Sequence, residues 1–310
     1  MKVSIKYLII GLIVFLFYST EFSAVSYNFV CFGLILLVGI PHGAADHRIS
    51  STIYKQKNTV QFIIKYILIA SGYAVWWIFM PGKALAFFIL LSTYHFGQEF
   101  LEDMGLKKIR PWAIILWGST LLIAPVFIAY PEIKSNLEMI TNSDLPEINK
   151  VILISFVSFI FICAFFHLIH LSKNGEIKRK RVIEQTFKVL IFFISFSVLP
   201  FIIAFTLYFI LFHALNAFRH QFNWLKGNIH GYTIKRFLKD LLLFSSLSIF
   251  GILTLIYFIQ PESSSEMLSY FFVIISIITL PHSILFDQFY KNRNAQLQKQ
   301  NESESNYETE

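Results

Sequence analysis

The feature that most constrains this chain is a series of long apolar runs separated by short charged stretches. The runs are about 16 to 25 residues long, and a helix that rises about 1.5 Å per residue needs about 20 such residues to cross a bilayer. Only 15% of the 310 residues are charged, and the mean hydropathy is +0.61. Soluble domains carry about a quarter charged residues. The pattern therefore predicts a multi-pass membrane protein and excludes a soluble one.

We predict an all-α fold, a polytopic bundle of about ten transmembrane helices. Their expected positions are residues 5–20, 27–47, 62–80, 83–100, 111–130, 151–171, 184–199, 201–222, 237–259 and 268–289. Residues 1–290 are expected to form a single integral membrane catalytic domain. Residues 291–310 are polar and end in a run of Glu, Ser and Asn, a composition that predicts a disordered cytoplasmic tail.

The basic residues are concentrated in alternate loops of this bundle. One set of loops carries Arg48, Lys55, Lys57, Lys107, Lys108, Arg110, Lys173, Lys178, Arg179, Lys180, Arg181, Lys226, Lys235 and Arg236, whereas Lys83 and Lys134 are almost alone in the other set. The positive-inside rule then places both termini in the cytoplasm. The net charge of +7 is thus a topology signal, and no nucleic-acid partner is expected.

Histidines inside the predicted spans mark the candidate site. All of them lie in even-numbered spans, at positions His42, His95, His167, His170, His213, His220 and His282. These spans run from outside to inside under the predicted topology, so the histidines share one depth in the inner half of the bilayer. One such histidine could equally form a hydrogen bond between helices, but imidazoles from separate spans at one level favour a site for iron, copper, zinc or nickel.

Three carboxylates follow histidines on nearly the same helix face. Asp46 lies four residues after His42, Glu99 four after His95, and Asp287 five after His282. Because a metal-bound histidine usually donates its other N–H to a carboxylate or carbonyl, each is a candidate partner for its histidine. Two alternatives stay open: one carboxylate is a direct ligand, as in two-His-one-carboxylate iron sites, or the three are rim charges that contact headgroups.

Proline and glycine beside the histidines predict local breaks that aim the imidazoles. These residues are Pro41, Gly43, Gly97 and Pro281. His213 and His220 are two turns apart, about 10 Å by helical rise, which is too far for both to bind one metal from a straight helix. Either that helix is bent or unwound, or only one of the two is a ligand. His167 and His170 form an i, i+3 pair that either ligates or ends an amphipathic helix.

Four segments in order resemble the Brp/Blh family of beta-carotene 15,15'-dioxygenases. They are Gly39-Ile-Pro-His-Gly-Ala-Ala-Asp46, Tyr94-His-Phe-Gly97 with Glu99, Tyr208-Phe-Ile-Leu-Phe-His213 with Arg219-His220, and Leu280-Pro-His-Ser-Ile-Leu-Phe-Asp287. The similarity spans roughly residues 30 to 290. The resemblance implies a membrane-embedded non-haem iron enzyme of a prokaryotic cell membrane. Such an enzyme splits beta-carotene with O2 into two all-trans-retinal molecules, which a rhodopsin-type protein then takes up.

The resemblance also implies a set of site residues. It carries Fe(2+) ligands over to His42, His95 and His213, which are the expected catalytic residues, and makes Asp46, Glu99 and Asp287 the expected supports of the site. The family's fourth histidine falls four residues after His213, where this chain has Ala217. His220 is therefore the expected fourth ligand and His282 the competing choice. Arg219 and Asn216 are expected to fix the cytoplasmic end of span eight.

Two other function classes fit the residues alone. A membrane di-iron desaturase or hydroxylase of lipids also gathers histidines near the cytoplasmic side, but it typically has His-x-x-His-His clusters, and this chain has no adjacent histidine pair. An ion transporter lined by His and Asp would use the same intramembrane residues as a relay. Transporters often have repeat symmetry, which is not evident here.

Overall fold

The computed structural model is built from helices throughout its described residues, which are 3–20, 23–55, 59–106 and 109–307. Lys57, Lys107 and Lys108, used above for topology, lie outside these ranges. The helices are α1 (Val3–Ser19), α2 (Ala24–Leu34), α3 (Asp46–Ile53), α4 (Thr59–Phe79), α5 (Pro81–Met104), α6 (Pro111–Gly118), α7 (Ala124–Ile128), α8 (Tyr130–Thr141), α9 (Lys150–Lys173), α10 (Arg179–Val198), α11 (Phe201–Tyr208), α12 (Leu215–Asn228), α13 (Ile234–Ile259) and α14 (Ser264–Tyr307). The described residues thus confirm the expected all-α fold, and the architecture is consistent with a membrane helical bundle.

Irregular turns join several of these helices into longer rods. A π-helical turn, Ile35–Gly39, and a 3-10 turn, Ile40–Gly43, lead from α2 towards α3. Further π turns, Ser119–Ile123 and Phe209–Ala214, join α6 to α7 and α11 to α12. Such turns keep the backbone hydrogen-bonded inside an apolar medium while shifting the helix register by one residue.

Seven rods in the described residues are long and apolar enough to cross a membrane. They are Ala24–Ile53, Thr59–Phe79, Pro111–Ile128, Lys150–Lys173, Phe201–Asn228, Ile234–Ile259 and Ser264–Gln296. The other three expected spans correspond to α1, whose apolar part Ile5–Ser19 is short, to α5 and to α10. Charged residues near the end of α5 and the start of α10 lower their hydropathy. The count of ten crossings and the cytoplasmic termini stay predictions.

Sequence signals account for where several helices begin and end. Asn149 caps α9 by accepting from the Val151 amide at 2.8 Å, and α5 and α6 each start at a proline, where the missing N–H is not needed. Gly105, with φ +72°, ends α5. The last helix, α14, continues to Tyr307, so the segment expected to be a disordered tail begins inside a helix; residues 308–310 lie outside the described ranges.

Helix α5 lies at the centre of the long-range packing between helices. It contacts α4, α6 and α14, and its second half is buried from Ser92 through Glu102 apart from Tyr94. The turn after α2 packs against the π turn that follows α11, and α3 packs on α12 and α14. These contacts bring together the segments that carry His42, His95, His213 and His282.

Candidate active site: four histidines from four segments

Four histidine rings form a closed circuit inside the bundle. The ring centres of His42 and His213 are 5.1 Å apart, those of His213 and His95 5.2 Å, those of His95 and His282 5.4 Å, and those of His282 and His42 4.8 Å. The rings meet edge to face at 74–81°. Three of the side chains are buried and His42 is partly buried. Four segments distant in sequence thus bring imidazoles to one point.

Two of the four rings have Nδ1 hydrogen-bonded to an acceptor, and a third has Nδ1 in contact with a carboxylate. His42 donates from Nδ1 to the carbonyl oxygen of Gly39. His282 Nδ1 lies 2.8 Å from the Oδ2 atom of Asp46, and His213 Nδ1 contacts the Oε2 atom of Glu99. Both carboxylates are themselves buried. Occupation of Nδ1 fixes the tautomer and leaves Nε2 as the lone-pair nitrogen of each ring.

Several ring nitrogens of this circuit are unpaired. Both ring nitrogens of His95, Nδ1 of His213 and Nε2 of His282 are buried without a hydrogen-bond partner in the described part of the chain. A buried unpaired nitrogen costs about 1–3 kcal/mol, and a metal ion removes that cost. Four imidazoles around one ion, at nitrogen–metal bonds of about 2 Å, have neighbouring ring centres roughly 5 Å apart. The residues present therefore fit a metal. Within the described ranges, however, no group of three or more His, Cys, Asp or Glu side chains already has the geometry to hold a metal ion.

Helix irregularities position two of the four histidines. His42 lies in the 3-10 turn that follows the first π turn, and His213 lies in the π turn Phe209–Ala214. The helix is therefore irregular at the predicted break near Pro41. At Gly97 and Pro281, by contrast, α5 and α14 continue without interruption, because neighbouring turns retain their hydrogen bonds. His95 and His282 are thus presented by regular helices.

His220, the expected fourth ligand, lies apart from this circuit. Its Nδ1 atom is 3.4 Å from the hydroxyl of Tyr290, and its Nε2 atom is 3.9 Å from Asp103 Oδ1. The π turn changes the direction of the His213 side chain, but His220 still lies about two helical turns further along the chain. The structure instead places His282 in the fourth position. The sequence carried a signal for this, because Pro-His occurs twice, at residues 41–42 and 281–282.

The carboxylates pair across helices rather than along them. Asp46 contacts His282 instead of His42, and Glu99 contacts His213 instead of His95. The expected pairing one turn along the same helix is therefore wrong. The physical reason is that each imidazole extends away from its own helix into the centre, where it meets the carboxylate of the neighbouring helix at the same level.

Asp287 is the third expected carboxylate, and its contacts lie beside the circuit. Its Oδ1 atom accepts from Tyr94 at 2.9 Å and from Gln98 at 3.3 Å, while its Oδ2 atom accepts from Lys291 at 2.6 Å. Asp287 thus ties α14 to α5 one turn from His282. It supports the helix that carries a ring rather than the ring itself.

The remaining histidines of the spans have ordinary structural partners. His167 accepts at Nδ1 from the Trp117 indole at 2.9 Å, and His170 lies 3.0 Å from the Asn174 amide. Arg219 contacts Asp103, and Asn216 accepts from Lys6 at 3.3 Å. The last two contacts join the first turns of α12 to α5 and to α1; that they fix the cytoplasmic end of this span stays a prediction.

Aromatic side chains surround the four rings. Phe209 stacks on His213 at 5.1 Å and meets His42 edge-on at 5.4 Å. Phe96 lies 4.4 Å from His213, and Phe286 lies 4.3 Å from His282. Gly39 makes room for Phe209, because a Cβ there would lie 2.6 Å from the Phe209 ring. This apolar shell keeps bulk water from the rings.

Comparison with known proteins supplies an activity for this arrangement. A family model described as beta-carotene 15,15'-dioxygenase matches residues 33–290. The chain is also 24% identical over 276 residues to a beta-carotene 15,15'-dioxygenase of an uncultured marine bacterium, 66A03, with 86% of this chain and 96% of the relative covered. No solved structure matches the chain. All four histidines of the circuit fall inside the matched segment.

Proposed function

Because the chain belongs to the beta-carotene 15,15'-dioxygenase family and is a carotenoid-cleaving dioxygenase, we propose that it is a membrane-embedded, iron-dependent enzyme. Its proposed substrates are beta-carotene and O2, and its product is two molecules of all-trans-retinal. One central carbon–carbon double bond is replaced by two carbonyl groups, which accounts for both oxygen atoms of one O2.

The observation that carries this proposal is the circuit of His42, His95, His213 and His282. Four neutral imidazoles bring no net charge into a buried site, and imidazole suits iron. His42 and His282 have Nδ1 hydrogen-bonded to a carbonyl and a carboxylate, His213 has Nδ1 in contact with Glu99, and His95 has both nitrogens unpaired. We assign these four residues as the Fe(2+) ligands, with His282 in the place expected for His220.

When bound, iron supplies the redox chemistry that cleavage by O2 requires and that none of these side chains supplies. The protein's own contribution is to hold and orient. Asp46 and the Gly39 carbonyl keep the Nδ1 protons of His282 and His42 in place, and Glu99 lies against Nδ1 of His213, so that each Nε2 remains available. Phe96, Phe209 and Phe286 exclude water from the reacting region and pack against the apolar polyene.

The bilayer is the proposed source of the substrate. Seven long apolar rods are compatible with a multi-pass membrane protein, and a wholly apolar carotenoid dissolves in hydrocarbon rather than in water. We assign the protein to the plasma membrane of a prokaryotic cell, where retinal passes to a rhodopsin-type consumer. The family match also favours this enzyme over the lipid desaturase and the transporter.

Expression in a host that accumulates beta-carotene tests the proposal. Wild-type protein is expected to bleach the cells and yield retinal, whereas His42→Ala and His95→Ala at equal membrane abundance are expected to leave the pigment intact. His230→Ala serves as the control, because His230 lies in the exposed stretch between α12 and α13. Retinal at wild-type yield from either ligand variant would overturn the assignment.

A further inference from the structure

Two lysines approach the proposed iron site from helices that the mechanism does not otherwise use. Lys6 comes from α1 and Lys188 from α10. The Nζ atoms of Lys6 and Lys188 lie 4.9 and 5.1 Å from the centre of the same Phe212 ring, and Lys188 also lies 4.9 Å from the Phe100 ring. Lysine within an apolar span is costly and marks function by default. Phe212 adjoins His213, so these charges lie close to the site.

A small cavity lies between these lysines and the site. It has a volume of about 10 Å³ and is lined by Phe96, Glu99, Phe100, Asp103, Lys188, Tyr208, Phe212 and Asn216. A cavity of roughly 10–15 Å³ holds one water molecule if two to four polar groups surround it. Glu99, Asp103, Lys188 and Asn216 supply those groups.

The two carboxylates of the cavity differ in how their oxygens are used. Asp103 has its own cation, because Arg219 contacts its Oδ1 atom, and its backbone oxygen accepts from Arg181 at 3.0 Å. Glu99 contacts His213 through Oε2, while its Oε1 atom is buried and unpaired within the described ranges. Lys188 is a cation that lines the same cavity as Glu99. A single water molecule there would join the two groups.

We propose that Lys188 is a positioning residue for the cleavage reaction. Through a water in this cavity it holds the Glu99 carboxylate against His213, while Lys6 donates to Asn216. Glu99 is thereby fixed at both oxygens, and α10 becomes part of the site although none of its residues contacts the four rings. This inference rests on the proposed iron site.

Iron affinity of the purified protein, measured by chelator competition, tests the role of Lys188. Removal of a group that orients a metal ligand typically weakens metal binding 10–100-fold. Since Lys188 acts through one further group, Lys188→Met is expected to weaken iron binding about 3–10-fold and to lower kcat with KM unchanged. Lys188→Arg, which keeps the cation, is expected to stay within about twofold of wild type. Lys180→Met, on an exposed position of the same helix, is the matched control.

A double-mutant cycle separates positioning from a general structural role. If Lys188 acts through Glu99, Lys188→Met is expected to add no further loss of iron affinity in a Glu99→Gln background. Wild-type iron affinity in folded Lys188→Met, or equal losses with and without Glu99, would overturn the inference while leaving the iron site intact. Wild-type protein that binds no iron would overturn the proposed function instead. Should Lys188→Met not fold, Lys188→Gln is measured in its place.

Discussion

The contrast between His282 and His220 is the sharpest assignment at the scale of single residues. His282 faces the circuit with an unpaired Nε2, whereas His220 is paired with Tyr290 and Asp103. We therefore expect His282→Ala to lose bound iron and retinal formation, and His220→Ala to retain both. Iron per chain and retinal yield at matched expression measure this. Loss of iron in His220→Ala with retention in His282→Ala would reverse the assignment.

Asp46 provides a second test at this scale, because its effect on His282 is indirect. Asp46→Asn keeps the size of the side chain but removes the charge that holds His282 Nδ1–H at 2.8 Å. We expect iron affinity to fall by about 10–100-fold, the range typical of such partners. Asp144→Asn, in the loop after α8, is the control. Equal affinities for the two variants would mean that Asp46 does not orient the ring.

Residue types and spacing allowed His42, His95 and His213 to be proposed from sequence, because histidine is rare inside apolar runs. The cross-helix pairing of Asp46 and Glu99 could not be predicted, since an i, i+4 rule describes neighbours on one helix only. Pairing between helices depends on which faces meet, and that is set by packing between segments that are 236 residues apart for Asp46 and His282 and 114 apart for Glu99 and His213.

At the scale of helices, the contact between α5 and α6 fixes where His95 and Glu99 stand. The two helices approach closely through glycine: a Cβ on Gly97 would lie 2.0 Å from the Ile114 carbonyl oxygen, and one on Gly118 would lie 1.7 Å from that of Thr93. Small residues at such crossings let backbones touch in a membrane. Gly97 was expected to break its helix, but its role in the structure is this close approach.

A Gly97→Ala substitution tests that contact. The added methyl must push α5 from α6, so we expect a loss of about 1–3 kcal/mol of stability, as for other overpacked cores, together with weaker iron binding. The thermal midpoint in detergent and iron per chain are the measurements. Gly72→Ala, where a Cβ meets nothing within 4 Å, should match wild type or exceed it, since alanine favours helix. An unchanged midpoint in Gly97→Ala would contradict the close approach.

The π turns show what the sequence left undetermined at this scale. The apolar runs predicted the rods, but nothing in Phe209-Ile-Leu-Phe-His-Ala214 distinguishes a π turn from a regular one. The extra residue per turn is stabilised by tertiary contacts, here the stack of Phe209 on His213 and its fit against Gly39. A one-residue shift of register decides whether His213 faces the centre of the bundle.

For the whole molecule, hydropathy was enough for the fold class, because only helices or closed barrels satisfy backbone groups in lipid. The number of crossings is harder to predict. Helix α5, which carries His95, also carries Glu99, Glu102 and Asp103, so it is less apolar than an ordinary span. Glu102 also accepts from Asn294 at 2.6 Å, a contact that joins α5 to the part of α14 expected to be disordered.

Topology is a prediction for the whole chain and can be measured directly. Both termini are expected in the cytoplasm, with the loop after α8 outside. A green fluorescent protein fused after residue 310 should therefore fluoresce, and alkaline phosphatase inserted at residues 142–146 should be active. Inactive phosphatase in that loop, together with active phosphatase fused at the C-terminus, would show that the topology is the opposite of the predicted one.

Metal content tests most directly whether the four histidines hold a single iron. Protein purified in detergent after anaerobic loading with iron(II) is expected to contain one iron per chain, and His42→Ala, His95→Ala, His213→Ala and His282→Ala are each expected to lose it while remaining folded. Two irons per chain, or iron retained in all four variants, would contradict a single centre built from these imidazoles.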